Sequence, residues 1–279
     1  MAESAIAIGI VVGLILGLTG AGGSVLAVPL LMAGLGWPLT QAVPVALLAV
    51  SAAAALGTWV AWRGGIVRYR AALLMALVGL LLAPLGLWTA EQLPSAQLAL
   101  MFSALLAVVA VRMLHQAWQA PQETIVLQGS ELHEAADSKP PTCQISTETG
   151  RIVWTQPCLW VVAATGAVTG FLSGLMGVGG GFVIVPALRA VTGLSIHAAV
   201  ATSLMTIALT SLGTVGLSLL RGQALPGDTA LPFMLAALAG MAVGRWLAPR
   251  LAGPLLQQGF AVLMLLVAAG MLTHSVGGF

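Results

Sequence analysis

Gly17-Leu18-Thr19-Gly20-Ala21-Gly22-Gly23 near the start of the chain, and Gly174-Leu175-Met176-Gly177-Val178-Gly179-Gly180-Gly181 past its middle, decide how the rest is read. Each lies at the centre of an apolar region, 5–34 and 157–190, that is longer than the roughly 20 residues one membrane crossing needs. Clustered glycines cost helix stability, so both regions favour unwinding at their centres. Each region is therefore either one tilted, broken helix that crosses, or two half-helices that dip in and return.

Outward from these two stretches the chain stays apolar. It is 59% hydrophobic and 6% charged, against about 25% charged residues in a soluble domain, and a soluble surface cannot be built from it. Apolar runs at about 5–34, 41–62, 71–90, 95–116, 157–190, 197–220, 229–248 and 254–276 read as membrane segments. The first run lacks a basic leading region and carries Glu3, so it does not read as a cleaved leader. Residues from about 119 to 156 are polar and hold Glu123, Glu131, Glu134, Asp137, Lys139, Pro140, Pro141 and Glu148, the composition of a flexible linker. Cys143 and Cys158 have neither metal-type spacing nor a histidine cluster beside them and read as bystanders. A net charge of +2, spread along the chain, gives no footprint for nucleic acid.

The chain repeats. A shift of 157 residues pairs Gly13 with Gly170, Gly17 with Gly174, Gly20 with Gly177, Gly22 with Gly179, Gly23 with Gly180 and Pro29 with Pro186. One further residue of offset pairs Arg63-Gly64 with Arg221-Gly222, Gly86 with Gly244, Trp88 with Trp246 and Phe102 with Phe260. The expected organisation is a first membrane repeat over 1–118, a polar cytoplasmic linker over 119–156 and a second repeat over 157–279.

Basic residues weigh the two readings of the glycine-centred regions, because cytoplasmic loops collect Lys and Arg. If those regions cross, Arg63, Arg68, Arg70, Arg112, Lys139, Arg151 and Arg221 face Arg189, Arg245 and Arg250, seven against three. If they re-enter, Arg221 alone is separated from the other nine. The second division favours re-entrance, three full crossings per half and inverted halves. The expected fold is an all-α integral membrane protein of two homologous halves arranged as inverted repeats. Each half has a glycine-broken first segment, re-entrant or discontinuous, and three transmembrane helices.

Broken segments at matching places in two halves mark a transporter's substrate site near the bilayer midplane. Freed N–H groups at the start of a half-helix suit an anion, and in hydrocarbon they must face protein, a cavity or a ligand. The candidate binding residues are Thr19, Gly20, Gly22, Gly23 and Ser24 in the first half, and Gly177, Gly179, Gly180 and Gly181 in the second. Gly9, Gly13, Gly17, Gly170 and Gly174 instead follow small-xxx-small spacing and suit close helix packing. Pro29 and Pro186 fit either a kink or a first helical turn.

The region 197–220 carries Thr202, Ser203, Thr206, Thr210, Ser211 and Thr214. Such hydroxyls bond either an oxyanion or their own helix's carbonyls. Thr202 and Ser203, early in the helix after the second glycine stretch, are taken as candidates. Glu91, Asp228, Arg63, Arg221 and Arg250 fall at segment ends, Arg112 and Arg245 about a turn inside. His197 opens a helix, and there is no acidic relay for protons. Gly177-Val178-Gly179-Gly180-Gly181-Phe182 lacks the last glycine of a dinucleotide fingerprint, and the apolar segments hold no nucleophile triad or His-Glu-x-x-His set. An enzyme is not expected, nor is a cofactor or a metal.

The paired motifs Gly17-Leu18-Thr19-Gly20-Ala21-Gly22-Gly23…Val28-Pro29 and Gly174-Leu175-Met176-Gly177-Val178-Gly179-Gly180-Gly181…Val185-Pro186, with eight hydrophobic regions and a polar mid-chain loop, resemble the sulfite exporter TauE/SafE family of membrane permeases. Ala201-Thr202-Ser203-Leu204 is similar to the family's Thr-Ser pair, whereas the first half has Pro44-Val45-Ala46-Leu47 there. The resemblance implies export of sulfite or organosulfonates from the cytoplasm across a bacterial-type plasma (inner) membrane. The partners expected are a small anionic substrate and membrane lipid, and a homo-oligomer is compatible with the sequence. The residues supply "small anion"; the resemblance supplies "sulfur".

Overall fold

The computed structural model describes residues 2–19, 23–119, 143, 154–192, 194–222, 226–251 and 254–276. These are helical almost throughout: α1 (Ala2–Thr19), α2 (Gly23–Leu35), α3 (Leu39–Arg63), α4 (Tyr69–Gln92), α5 (Ser95–Gln119), α6 (Gln156–Met176), α7 (Gly181–Val191), α8 (Ile196–Leu220), α9 (Gly227–Leu251) and α10 (Pro254–Val276). Among the described residues, five helices are long and apolar enough to cross a membrane, over 41–63, 69–92, 156–176, 197–220 and 227–247. Shorter apolar stretches lie at Glu3–Thr19, Gly23–Leu35, Ala96–Arg112 and Ala261–Leu272. The outer surface suits lipid: Leu77, Leu81, Leu85 and Trp88 expose one apolar stripe of α4.

Glycine allows the closest approaches. Along the α1–α9 seam, a Cβ on Gly9 would stand 2.6 Å from the Phe233 carbonyl oxygen, one on Gly13 would run into the Ala237 backbone, and one on Gly17 would lie 2.6 Å from the Met241 oxygen. Along the α4–α6 seam, Gly166 backs onto Met75, Gly170 onto Gly79, and Gly174 onto Ala83. In both seams the paired helices run in the same direction. Without a hydrophobic drive between helices in lipid, such backbone contact is what holds them together. These outer glycines therefore pack helices.

α2 runs back alongside α1, since Gly23 meets Leu16 and Gly34 meets Ile8. α7 likewise returns along α6, with Gly180 against Thr169 near the tip. Pro29 and Pro186 lie inside α2 and α7, past the first turn, so each removes an interior hydrogen bond. The central layer is α3 against α8, both mostly buried, with Val45, Ala46, Leu47, Ala49, Val50, Leu204 and Ile207 in the core. α5 pairs with α10.

One sequence reading is corrected. Cys143 and Cys158 are not bystanders but a disulfide, with Cα atoms 5.0 Å apart. Both are fully buried. The Cys143 N–H donates to the Val191 carbonyl at 2.9 Å. Fifteen residues of sequence separate the two cysteines, so spacing alone offered no sign of the pairing. The bond and the backbone contact together tie the start of α6 to the end of α7. The rest of the linker lies outside the described residues.

The helix bundle has two chemically different ends. Towards the linker end lie the last residue of α3, Arg63, the Arg68–Arg70 entry to α4, Arg112, Arg189 in the last turn of α7, and Arg245 and Arg250 late in α9. Arg63 lies over the Trp59 ring at 5.1 Å. At the opposite end Arg221 pairs with Glu91 at 3.2 Å, both partly exposed.

Candidate functional site

The turn between α6 and α7 is built from residues that only glycine serves well. Gly177 closes α6 at φ 69°, its N–H donating to the Ser173 carbonyl at 2.9 Å, and Gly179 and Gly180 follow at φ 67° and 72°. A side chain at each of these positions would cost about 1–2 kcal/mol in backbone strain. The turn is also wedged in. A Cβ on Gly177 would come 2.7 Å from Val43 of α3, one on Gly180 2.6 Å from Thr169 of α6, and one on Gly179 3.1 Å from the Ser211 hydroxyl of α8.

α7 starts directly after Gly180, and no side chain caps it. The Val183 and Ile184 N–H groups reach back to the Gly180 carbonyl at 3.1 and 3.3 Å. The N–H groups that open a helix have no acceptor of their own within it, and they carry the positive end of its dipole. Ser211, against Gly179 in the turn, and Ser173, one turn before Gly177 on α6, are fully buried and their hydroxyls have no hydrogen-bond partner. Leaving a hydroxyl in that condition costs about 1–3 kcal/mol. A ligand oxygen within reach of Ser211 and the opening amides would offset that cost. Residues 157–188 contain no charged side chain, nor does α3 before Arg63, while α8 carries only His197. The polar character of this turn comes from dipoles and hydroxyls, with no charged side chain in these segments.

Of the residues singled out from sequence, Gly177, Gly179, Gly180 and Gly181 are brought together in this turn, all buried. Ser203 lies on the α8 face that also presents Ile207 and Ser211, but its hydroxyl donates to the Val200 carbonyl at 2.8 Å. Thr202 lies elsewhere. It is buried in the α4–α8 seam, donating to the Ala198 carbonyl at 2.7 Å and accepting from the Arg68 N–H at 3.1 Å. In the first half, Gly23 opens α2 against the Leu16 backbone, Ser24 beside it is buried, and Thr19 donates to the Ile15 carbonyl at 2.8 Å. Gly20 and Gly22 lie outside the described residues.

Sequence reasoning did not select Ser173 and Ser211. The available signal was positional: Ser211 lies two i+4 steps after Ser203, and Ser173 lies four residues before Gly177. The other hydroxyls of α8 form a ladder. Thr206, Thr210, Thr214 and Ser218 each donate to the carbonyl four residues back, at 3.1, 2.9, 2.8 and 3.0 Å.

The family model for the sulfite exporter TauE/SafE matches residues 5–271, nearly the whole chain. The chain belongs to the TauE/SafE family. It is also similar to two curated proteins named probable membrane transporter protein, from Xylella fastidiosa strains 9a5c and Temecula1. The identities are 32% and 31% over 261 residues, covering 92% of this chain and 89% of each relative. No solved structure matches. As a TauE/SafE protein with, among its described residues, five helices long and apolar enough to span a bilayer, the chain is an integral membrane transporter.

Proposed function

We propose that the chain is a secondary transporter that exports a small anion, sulfite or an organosulfonate, from the cytoplasm across a bacterial plasma membrane. The observation that carries the reading is the uncapped start of α7 with the buried, unpartnered Ser211 hydroxyl against the preceding glycine turn, and a second such hydroxyl, Ser173, one turn before Gly177. That combination favours an oxyanion, because the helix start contributes N–H donors and positive partial charge and the hydroxyls can donate to it. Sulfur as the substrate's element, and export as its direction, rest on the family's description.

The return of α2 along α1 and of α7 along α6 supports reading both glycine-centred regions as re-entrant hairpins. The α1–α9 and α4–α6 seams, each joining one half to the other, support inverted repeats around a shared site. Crowding of basic residues at the linker end supports a cytoplasmic linker. A reporter fused after Phe279 should then be active only outside the cytoplasm; cytoplasmic activity contradicts the inverted arrangement.

Purified protein in proteoliposomes, offered sulfite, sulfoacetate, sulfate and a carboxylate at two pH values, tests the substrate class. Sulfite or sulfoacetate should move, and should accumulate against its gradient when a coupling gradient is imposed. Accumulation against the gradient excludes a passive anion channel, downhill-only flux contradicts coupled transport, and flux of none of the four overturns the anion reading.

A further inference from the structure

A second anion-binding feature lies away from the glycine turn. Where the α3–α4 connection enters α4, at the linker end, a cleft of about 210 Å³ is lined by Gly65, Arg68, Arg70 and Trp154 among others. Three independent features point the same way. Arg68 is the residue that precedes α4, no side chain caps that 24-residue helix, and its first residues, Tyr69, Arg70 and Ala71, line the cleft. The Arg68 Nε is buried and has no hydrogen-bond partner. Arg70, the second residue of α4, also lines the cleft and is exposed.

Positive charge at this place is not balanced by the described carboxylates. Glu3 opens α1, Asp228 opens α9, and Glu91 is paired with Arg221, all at the opposite end of the bundle. The cleft is also held in shape. The Arg68 N–H donates to Thr202 Oγ1 at 3.1 Å, and Thr202 donates in turn to Ala198 at 2.7 Å, which fixes the entry of α4 to α8. A buried guanidinium nitrogen without an acceptor costs more than a neutral group would, and an oxyanion is the ligand that supplies acceptors in the fork geometry of arginine.

We propose that the Arg68–Arg70–Trp154 cleft binds the oxyanion head of a sulfonate or phosphate, with Thr202 as a positioning residue. The site stands apart from the glycine turn, and its occupancy does not depend on transport. The same chemistry comes from a soluble anion or from a phospholipid headgroup.

The test uses the full chain in nanodiscs and reads Trp154 fluorescence as the difference from the Trp154→Phe protein. One arm titrates methanesulfonate and inorganic phosphate into phosphatidylcholine discs. The other raises the phosphatidylglycerol fraction of phosphatidylcholine discs stepwise in the absence of soluble anion. A saturable change is expected in at least one arm, and which arm responds identifies the source. Arg70→Gln, a surface change that leaves the core untouched, should weaken it at least tenfold, as should Arg68→Gln. Thr202→Val should weaken it several-fold and Thr202→Ser should restore it. Absence of a saturable Trp154 response in both arms, or a response that Arg68→Gln and Arg70→Gln leave unchanged, overturns the proposal. Either result leaves the glycine-turn reading standing, since no flux is measured.

Discussion

Replacing Gly179 with alanine separates a folding role for the glycine turn from a binding role. The backbone there sits at φ 67°, so a non-glycine residue costs about 1–2 kcal/mol. The added methyl would stand 3.1 Å from the Ser211 hydroxyl and 3.2 Å from Ile207. Those contacts are tight but yield with shifts of a few tenths of an ångström, so the variant should still fold. The effect on transport should be larger. The methyl takes the space between the opening amides and Ser211, and a ligand oxygen bound there loses at least one charge-assisted hydrogen bond of about 1.5–3 kcal/mol. That corresponds to roughly a ten- to hundredfold loss of flux at 1.4 kcal/mol per decade. Gly216→Ala is the matched control, because it lies on α8 with nothing within 4 Å of its added Cβ. Both proteins would be purified, compared by gel filtration and thermal midpoint, and reconstituted for sulfite or sulfoacetate efflux. If Gly179→Ala is folded and carries the same flux as Gly216→Ala, the substrate does not bind at this turn.

Ser211→Ala should leave the thermal midpoint unchanged or slightly raised, because it removes a buried hydroxyl with no partner, while lowering flux about tenfold; equal flux in the two proteins removes Ser211 from the site. Gly170→Ala should behave in the opposite way, since its methyl is driven into the Gly79 backbone across the α4–α6 seam: a stability loss of about 1–3 kcal/mol by overpacking is expected, and an undisturbed thermal midpoint contradicts the seam. The Cys143–Cys158 pair tests sidedness. The structure holds the pair bonded, whereas a reducing cytoplasm would open it, so a cytoplasmic linker end predicts two free thiols by rapid acid quenching and maleimide gel shift of growing cells, with the bond forming on oxidation. A pair found fully oxidised in freshly quenched cells places the linker outside.

The helical class and the membrane setting were legible because a charge content of 6% admits no soluble surface. Gly9, Gly13 and Gly17 were legible as packing residues because small-xxx-small spacing acts through local backbone approach, which sequence spacing measures directly. The disulfide was not. Cys143 meets Cys158 only because the chain folds back to Val191, a tertiary event with no periodic trace. Ser173 and Ser211 were missed for a related reason. A hydroxyl's value as a ligand depends on whether its own helix already engages it, and hydroxyls of the same type nearby, such as Thr206 and Thr210, are engaged.

Thr202 and Ser203 show most directly where residue type stops being informative. As neighbours in sequence they read as one hydroxyl pair, yet consecutive residues on an α-helix point about 100° apart. The α8 face carrying Ser203, Ile207 and Ser211 turns towards Gly179, whereas the face carrying Thr202, Thr206 and Thr210 turns into α4, where Thr206 reaches Ala72 and the Thr210 methyl lies against Gly79. A ligand bound at the glycine turn, as proposed, would meet the serine face, whereas Thr202 on the other side holds the Arg68 N–H. On these geometries the pair joins two places on one helix. A change at Ser203 or Ser211 should register at the glycine turn, and a change at Thr202 at the arginine cleft near the linker.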